Sequence, residues 1–192
     1  MGETSKAAAR RWIEGWFDKH IAEPGIDIGS GVDPLNSTFR KWDNRWTGDG
    51  DAQYMEGVAD ESYMTVYASH ILEHLEDPIE GLKNWWRILA PGGKLIVCVP
   101  HRDLYEKKKT HPSRWNPCDR EGGGGHLTFW MPETDEEPAT LSFKRVLSET
   151  LPDAEFVDFK VLNDGYDYSL PEDVHPVGEY AIEAILRKPN VK

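Results

Sequence analysis

The sequence has only two cysteines among its 192 residues and far fewer basic than acidic side chains. Cys98 lies in an apolar run and Cys118 in a stretch rich in proline and glycine, without a Cys-x-x-Cys pair, so we expect neither disulfides nor a cysteine metal site. The 22 Lys and Arg against 34 Asp and Glu give a formal net charge of −12. Because so acidic a chain repels phosphate backbones, a nucleic-acid partner is not expected.

Long hydrophobic runs are also missing. No apolar stretch approaches the roughly 20 residues of a membrane helix, and the first ten residues lack the apolar centre of a signal peptide. We therefore expect no membrane partner and a cytoplasmic location. Hydrophobic residues nevertheless make up 39% of the chain. This is enough apolar material for a core, and the length suits a single domain over residues 1–192.

Strand-like and helix-like segments alternate along the chain. Strands are predicted at residues 26–28, 39–42, 63–68 and 94–99, and helices at 5–21, 77–90 and 141–151. This alternation predicts an α/β fold with a mostly parallel sheet and helices on both faces. Two further strand-like runs, 155–162 and 179–186, predict an antiparallel hairpin at the edge of the sheet. Between them and the last parallel strand, residues 100–138 have no clear periodicity and are interpreted as a substrate-facing insertion.

Two of these helices carry specific signals. Within the N-terminal segment 1–23, six residues recur at the spacing of a helical stripe and predict one amphipathic helix that docks on the sheet; they are Ala9, Trp12, Ile13, Trp16, Phe17 and His20. Asp77 followed by Pro78 predicts the start of the next helix, with an aspartate cap and a proline in the first turn.

A glycine pair follows the first predicted strand, in Asp27-x-Gly29-x-Gly31. Glycines at such a place let the backbone turn sharply and let a ligand approach main-chain N–H groups. The third glycine of a dinucleotide fingerprint is replaced by Pro34, which disfavours a nicotinamide oxidoreductase. No Gly-Lys-Ser/Thr ends the loop, so it is not a P-loop. The remaining prediction is a nucleoside-type ligand without phosphates.

Several motifs, in this order, resemble those of the class I S-adenosylmethionine-dependent methyltransferases. Asp27-x-Gly29-x-Gly31 resembles the first motif of that family, Asp43 its ribose-binding acid and Gly50-Asp51-Ala52 its adenine-binding segment. Residues 67–106 are similar to its fourth and fifth motifs almost position by position; they read YASHILEHLEDPIEGLKNWWRILAPGGKLIVCVPHRDLYE. The resemblance covers most of the chain.

The resemblance implies a Rossmann-like doubly wound sheet, S-adenosylmethionine as cofactor and S-adenosylhomocysteine as product. It implies that Asp27 to Gly31 contact the methionine part and Asp43 the ribose, with Asp33 as an alternative. The full implied set of cofactor-binding residues is Asp27, Gly29, Ser30, Gly31, Asp43, Asp51, Ala52, Ser69 and His70. Only 11 residues separate Gly31 from Asp43, so we expect an abridged first crossover helix.

Methyl transfer from a sulfonium requires the nucleophile, the methyl carbon and the sulfur to be held in line. A hydroxyl or amine nucleophile must also lose a proton, and histidine is the residue type suited to accept it. We predict His126 or His70 as this base. The expected acceptor is a hydroxyl or amine of a small molecule or saccharide, with a protein or peptide acceptor as an alternative. Oligomeric state is not indicated.

Other interpretations stay open. His70-x-x-Glu73-His74 matches the H-x-x-E-H pattern of inverted zinc peptidases, and helical spacing would put all three side chains on one face. A metal-dependent hydrolase is therefore an alternative. The resemblance implies a second one, a divalent metal beside the cofactor, since some family members that methylate hydroxyls have an E-x-x-E-H version of this pattern that binds a divalent ion together with a later histidine. Here His70 replaces the first acid, and no metal ligand is assigned. A non-catalytic S-adenosylmethionine-binding module is a further alternative. One local basic cluster is either solvated surface or a site for an anionic acceptor; it comprises Arg102, Lys107, Lys108, Lys109 and Arg114.

Overall fold

The computed structural model describes residues 2–117 and 124–190. Six strands form the main sheet in the order β2-β1-β3-β4-β8-β7. They are β1 (Gly25–Ile28), β2 (Arg40–Trp42), β3 (Tyr63–Ser69), β4 (Leu89–Pro100), β7 (Glu155–Leu162) and β8 (Ala181–Arg187). The first four strands pair in parallel, whereas β8 pairs antiparallel with both β4 and β7. The predicted Rossmann-like, mostly parallel sheet with a C-terminal antiparallel hairpin is confirmed.

Six α-helices and one short 3-10 helix accompany the sheet within the described ranges. They are α1 (Glu3–Lys6), α2 (Ala8–Ile13), α3 (Trp16–His20), the 3-10 helix (Leu72–His74), α4 (Pro78–Ile88), α5 (Arg102–Tyr105) and α6 (Phe143–Thr150). In residues 2–117 and 124–190, none of these helices has the length and apolar character needed to cross a bilayer.

One face of the sheet is covered by α4 and α6. The Asp77 carboxylate accepts hydrogen bonds from the amides of Ile79 and Glu80, both at 3.0 Å, and Pro78 is the first helical residue. The predicted start of α4 is therefore confirmed. Leu82 and Trp85 from this helix are completely buried against apolar strand residues, which together form the main hydrophobic core.

The N-terminal helices α1 to α3 cover the other face, and here the sequence prediction was wrong. The segment does not form one helix, because Gly15 adopts a left-handed conformation (φ 62°) that separates α2 from α3. Trp12 and Ile13 of the predicted apolar stripe are 72% and 87% exposed, whereas Arg11 is 1% exposed. A buried partner, Glu183, lies 3.0 Å from the Arg11 guanidinium and takes the place of an apolar contact.

No helix joins β1 to β2, so the prediction of an abridged first crossover is confirmed. The chain reaches β2 through turns and bends over residues 29–39. As a result, α1 to α3 are the helices that cover this face of the sheet in the described part of the chain.

Residues 100–138 contain more structure than their composition suggests. They include α5 and a strand, β5 (Phe129–Met131), which pairs in parallel with β6 (Thr140–Ser142). His126, Phe129 and Trp130 are buried. Most of the other described residues of this segment are irregular, and Cys118 lies outside the described residues. Whether this segment faces a substrate stays a prediction.

Candidate active site

The carboxyl ends of the parallel strands surround a cavity of about 820 Å³. In the order of the sheet, β1 connects to β2 on one side and β3 connects to β4 on the other side. The gap between β1 and β3 is therefore the switch point at which α/β sheets bind ligands. The cavity is large enough for a cofactor. Its wall includes several residues that the sequence predicted for the cofactor: Gly29, Asp43, Asp51, Ala52 and His70.

A second cavity, of about 200 Å³, adjoins the first because Gly29 and His70 line both. Its wall holds the other residues of the predicted set, namely Asp27, Ser30, Gly31 and Ser69. The alternative ribose acid Asp33 lines only this smaller cavity. The structure thus brings the whole predicted cofactor set to one pair of adjoining cavities.

The loop after β1 has the conformation that its glycines allow. Gly29 and Gly31 both have positive φ values, 71° and 50°. A Cβ at Gly29 would lie 2.9 Å from the Ile71 side chain, so a larger residue would not fit. Between the two glycines, the buried Ser30 hydroxyl has no hydrogen-bond partner within the described residues. The loop therefore presents an unused polar group at the cavity.

Asp43 ties this loop to the segment after β2. One carboxylate oxygen accepts the Gly31 amide at 3.0 Å, and the other accepts the amides of Arg45 and Trp46, both at 2.9 Å. These bonds fix the carboxylate at the wall of the larger cavity. A fixed carboxylate is suited to accept hydrogen bonds from a pair of ligand hydroxyls.

Helix α4 holds in place the segment of Asp51 and Ala52, which was predicted to bind the adenine. The Trp85 indole donates a hydrogen bond to the Ala52 carbonyl at 2.8 Å. The Asp51 carboxylate accepts the Gln53 amide, and the Gln53 side chain accepts the Asp77 amide, each at 2.8 Å. The aspartate that begins α4 therefore also positions the loop that carries Asp51 and Ala52.

Asp27 is a buried acid beside the smaller cavity. Its carboxyl group is 1% exposed, and burial raises its pKa to about 7, although a hydrogen bond from the Leu35 amide at 2.7 Å opposes this. The carboxyl group therefore changes its charge near neutral pH.

His70 stands where the two cavities meet. It follows the last residue of β3 with a φ of 54°, and its amide donates to the Cys98 carbonyl at 2.9 Å. Its ring lies between two acids, with Nδ1 3.6 Å from Glu73 and Nε2 3.9 Å from Glu3. Burial lowers the pKa of His70, while the charges of Glu73 and Glu3 oppose that shift.

Glu73 lies at the centre of a histidine cluster that sequence spacing did not reveal. Its Oε1 is 3.8 Å from Nε2 of His74 and 3.8 Å from Nε2 of His126. One potential ligand atom from each of these three residues lies within 4.8 Å of the other two. The sequence had placed His70, Glu73 and His74 on one face of a helix. The turn is instead a short 3-10 helix that begins at Leu72, and His70, which precedes it, nevertheless lies 3.6 Å from Glu73.

His126 is held from two sides in the buried part of this cluster. Its Nδ1 is 2.9 Å from Glu106, and the Asn116 amide donates to its Nε2 at 3.2 Å. Burial raises the pKa of Glu106, but hydrogen bonds from His126 and neighbouring groups outweigh it and lower the pKa overall. His126 lines neither of the two cavities, whereas His74 lines the larger one. Its predicted role as a base stays a prediction.

The basic cluster does not line this cleft. Lys107 to Lys109 border a separate cavity of about 450 Å³ that shares no residue with the other two. The Lys107 ammonium donates to the carbonyls of Leu170 and Pro171 at 3.3 and 3.0 Å, and Lys109 pairs with Glu136 at 3.0 Å. The ammonium groups of Lys107 and Lys109 are therefore engaged in contacts within the protein.

Comparisons with known proteins agree with this geometry. A family model described as a methyltransferase domain matches residues 14–135. An S-adenosylmethionine-dependent methyltransferase from Thermotoga maritima, described as a possible histamine N-methyltransferase, is similar in fold with 18% identity and a TM-score of 0.51, over 97% of this chain and 98% of that one.

Two further structures are similar in fold. The glycopeptide N-methyltransferase MtfA, complexed with sinefungin, has 12% identity and a TM-score of 0.54, with 98% and 95% of the two chains covered. A methyltransferase from Mesorhizobium loti has 12% identity and a TM-score of 0.51, with 92% and 86% covered. A comparison with curated proteins gave no match.

Proposed function

Because this chain belongs to the methyltransferase-domain family and is an S-adenosylmethionine-dependent methyltransferase, we propose that its acceptor is a hydroxyl or amine of a small molecule or saccharide. The observation that carries this proposal is the place of His70, whose imidazole borders both adjoining cavities. Acceptors of this class must release a proton during methyl transfer, and a histidine at this point is suited to take it.

The residues around the cleft fit the cofactor. The Ser30 hydroxyl has no hydrogen-bond partner among the described residues, and it belongs to the loop that lines the smaller cavity. Gly29 of the same loop has no room for a side chain, because Ile71 packs against it. We assign the methionine part to Asp27–Gly31, the ribose to Asp43, and the adenine to Asp51 and Ala52. The bound cofactor supplies an activated methyl group on a positively charged sulfur. The carboxylates of this wall favour that positive charge.

His70 has the surroundings of a base. Its lowered pKa keeps the imidazole neutral near pH 7, so that it can accept a proton. Glu3 and Glu73 lie within 4 Å of its two nitrogens. Their negative charges stabilise the imidazolium that forms when the acceptor loses its proton.

The burial of His70 favours a small acceptor. Its side chain is 16% exposed and lies between α1 and the turn after β3. A folded protein surface would not reach a side chain in this position, whereas a small molecule or a sugar hydroxyl would. A protein substrate would have to present a flexible peptide.

The cofactor site is tested by calorimetric titration with S-adenosylhomocysteine. We expect one-to-one binding that Asp43→Ala weakens about 10- to 100-fold, since a hydrogen bond to a charged group contributes about 1.5–3 kcal/mol. Asp33→Ala is the matched control, and its affinity should stay within about twofold. Circular dichroism checks that both variants fold. A larger loss in Asp33→Ala than in Asp43→Ala would contradict our assignment of the ribose.

The acceptor is tested by screening hydroxyl and amine compounds for transfer of a labelled methyl group. With an accepted compound, His70→Asn should lower kcat about 100- to 10,000-fold. Because the base acts in its neutral form, the kcat of the native enzyme should rise with pH to a plateau, with a midpoint below the 6.5 of an ordinary histidine. His70→Asn should lose this rise.

Three results would contradict the proposal. An unchanged kcat and pH profile in His70→Asn would exclude this residue as the base. Transfer to proteins but to no small compound would contradict the acceptor class. Binding of S-adenosylhomocysteine without transfer to any acceptor would favour the non-catalytic binding module.

A further inference from the structure

We propose that β7, at the edge of the main sheet, pairs with β7 of a second copy of this chain, antiparallel and around a two-fold axis at Phe159. The order of the sheet ends at β7, and no strand pairs with its outer side among the described residues. An edge strand of eight residues presents a row of main-chain groups on which another strand can form. This inference does not rest on the proposed function.

The first argument is the direction in which the main-chain groups of β7 point. Just beyond this strand, the Glu179 amide donates to the Asp164 carbonyl at 2.9 Å, in the same register as the ladder between β7 and β8. Because the direction alternates from residue to residue, the main chain of Asp158 faces β8, whereas that of Phe159 and of Val161 faces outward. The Phe159 amide accordingly donates to the neighbouring Asp158 carboxylate at 2.9 Å. The outer side of β7 therefore offers main-chain donors and acceptors at alternate residues.

The second argument is the order of the side chains around Phe159. Asp158 and Lys160 flank this residue, and Val157 and Val161 come next on either side. In an antiparallel pair centred on Phe159, each Asp158 lies opposite Lys160 of the second copy, and each Val157 lies opposite Val161. Opposite charges and branched apolar side chains are favourable cross-strand pairs. The strand is therefore complementary to itself, which favours a second copy over an unrelated partner.

The third argument is the exposed apolar surface along this edge. Phe156, Val157 and Val161 are 40%, 41% and 38% exposed. The rings of Phe156 and Phe159 lie 6.1 Å apart, and Phe159 lies at the same distance from Phe143 of α6. The aromatic packing beside α6 thus continues to the edge of the sheet, and a second copy would continue it across the axis.

Pairing changes the bonds that Asp158 makes. In the single chain its carboxylate binds the Phe159 amide and lies 3.3 Å from the Lys160 ammonium of the same strand. Across the axis the two Phe159 residues exchange their main-chain hydrogen bonds, which leaves each Asp158 carboxylate for Lys160 of the second copy. A bulge shifts the ladder to β8 between Phe156 and Asp158, so we expect the regular pairing to cover only residues 157–161. So short an interface forms a dimer that dissociates on dilution.

The test is sedimentation equilibrium of the full chain between about 10 and 500 µM, the range suited to a small interface. Because each copy carries a net charge of −12, the buffer contains about 0.15 M salt, which screens charges more than about 8 Å apart. We expect the mass to rise with concentration from that of one chain towards that of two. Asp158→Lys and Lys160→Glu each place like charges opposite one another and should each weaken association more than 10-fold.

Recombining the two variants tests the register. An equal mixture of Asp158→Lys and Lys160→Glu places opposite charges across the axis at both positions, so it should associate although neither variant does so alone. The double variant should also associate, because it exchanges the two charges within one strand. Asp173→Lys is the matched control, since it makes the same change of charge at an exposed residue outside β7. It should associate like the native chain.

A main-chain variant keeps the test decisive where a charge variant does not fold. Lys160 also lies 3.9 Å from the buried Glu183, so circular dichroism checks the fold of Lys160→Glu. Val161→Pro should keep the ladder to β8, because the amide that it removes faces outward, and should weaken association more than 10-fold. A native chain that stays monomeric over the whole range would overturn the proposal. A folded mixture that does not associate, unchanged association of a folded Val161→Pro, or equal losses in Asp173→Lys and Asp158→Lys would each do the same.

Discussion

The two faces of the central sheet are buried by different means. On one face, α4 and α6 pack apolar side chains on the strands, and Leu82, Trp85 and Phe143 are completely buried there. On the other face the apolar cluster is small and is interrupted by a buried ion pair between Arg11 and Glu183. Helix-strand patterning explains the first face, whereas the second depends on particular polar partners.

The face covered by α1 to α3, called the polar face here, also depends more strongly on individual side chains. Arg11 donates to the Tyr67 hydroxyl at 3.1 Å as well as to Glu183, and the Trp16 indole donates to the other oxygen of Glu183 at 3.2 Å. Arg11 and Trp16 thus each supply a donor to the buried Glu183 carboxylate, and Arg11 also supplies one to the Tyr67 hydroxyl. Removing one member should therefore cost more than removing an exposed charge. Apolar packing tolerates gradual change better than such a network.

The largest effect is expected on the apolar face, from Trp85→Ala. This change leaves a large cavity and should lower the free energy of unfolding by about 4 kcal/mol, measured by urea denaturation. Trp85→Phe keeps most of the packing but loses the bond to the Ala52 carbonyl. It should cost only about 1 kcal/mol. A larger loss in Trp85→Phe than in Trp85→Ala would contradict this account of the apolar face.

The next effect is expected from Arg11→Met on the polar face. Glu183 is then left buried without its guanidinium partner, and we expect a loss of about 3 kcal/mol. The double variant Arg11→Met with Glu183→Leu removes both charges and should recover more than half of this loss. A double-mutant cycle measures the coupling. Additive losses would show that the pair is not coupled.

Asp27 gives a pH-dependent effect on the same face. Its pKa in the folded chain, about 7, lies above its ordinary value of 3.8. The folded chain therefore keeps a proton that the unfolded chain releases, so stability falls as pH rises from 3.8 to about 7. We expect a measurable loss of stability over this range, in the direction that the raised pKa sets.

Thermal unfolding across pH checks this prediction with Asp27→Asn. The variant should lose this part of the pH dependence and be the more stable form near pH 8. Asp33→Asn is the control and should keep the native profile. Equal profiles for Asp27→Asn and the native chain would show that Asp27 does not cause the fall.

The smallest effect is expected from Trp12→Ala. The periodic pattern placed this tryptophan in the docked stripe, but its side chain is 72% exposed. Its replacement should change the free energy of unfolding by less than about 0.5 kcal/mol. A loss near that of Trp85→Ala would restore the single amphipathic helix that the sequence predicted.

These comparisons show which parts of the fold the sequence could predict. The strand positions, the start of α4 at Asp77 and the C-terminal hairpin follow from local signals, since apolar patterning and capping act within a few residues. The break at Gly15 was missed, because a glycine within an otherwise periodic helix is compatible with either a helix or a turn. Arg11 was missed because its burial depends on Glu183, which is distant in sequence.

The candidate site divides in the same way. The ligand loop at Asp27–Gly31 was predicted, as were Asp43 and the segment at Asp51 and Ala52, because each follows a strand end in a recognisable motif. Their common cavity is consistent with those assignments, which await the binding experiments. The sequence assigned no contact between His126 and Glu73, because nothing in the spacing links His126 to Glu73 and His74; the fold brings them together.

The sequence by itself determined the α/β class, the order of the motifs that follow the parallel strands, and the family resemblance. These depend on short patterns of residue type. Only the tertiary structure decided which polar groups share one buried environment. It brought Arg11 to Glu183 and His126 to Glu73, and it placed His70 between two cavities. The physical reason is that the cost of burying a charge depends on partners that chain folding brings together, whereas hydrophobic periodicity is already present in the linear sequence.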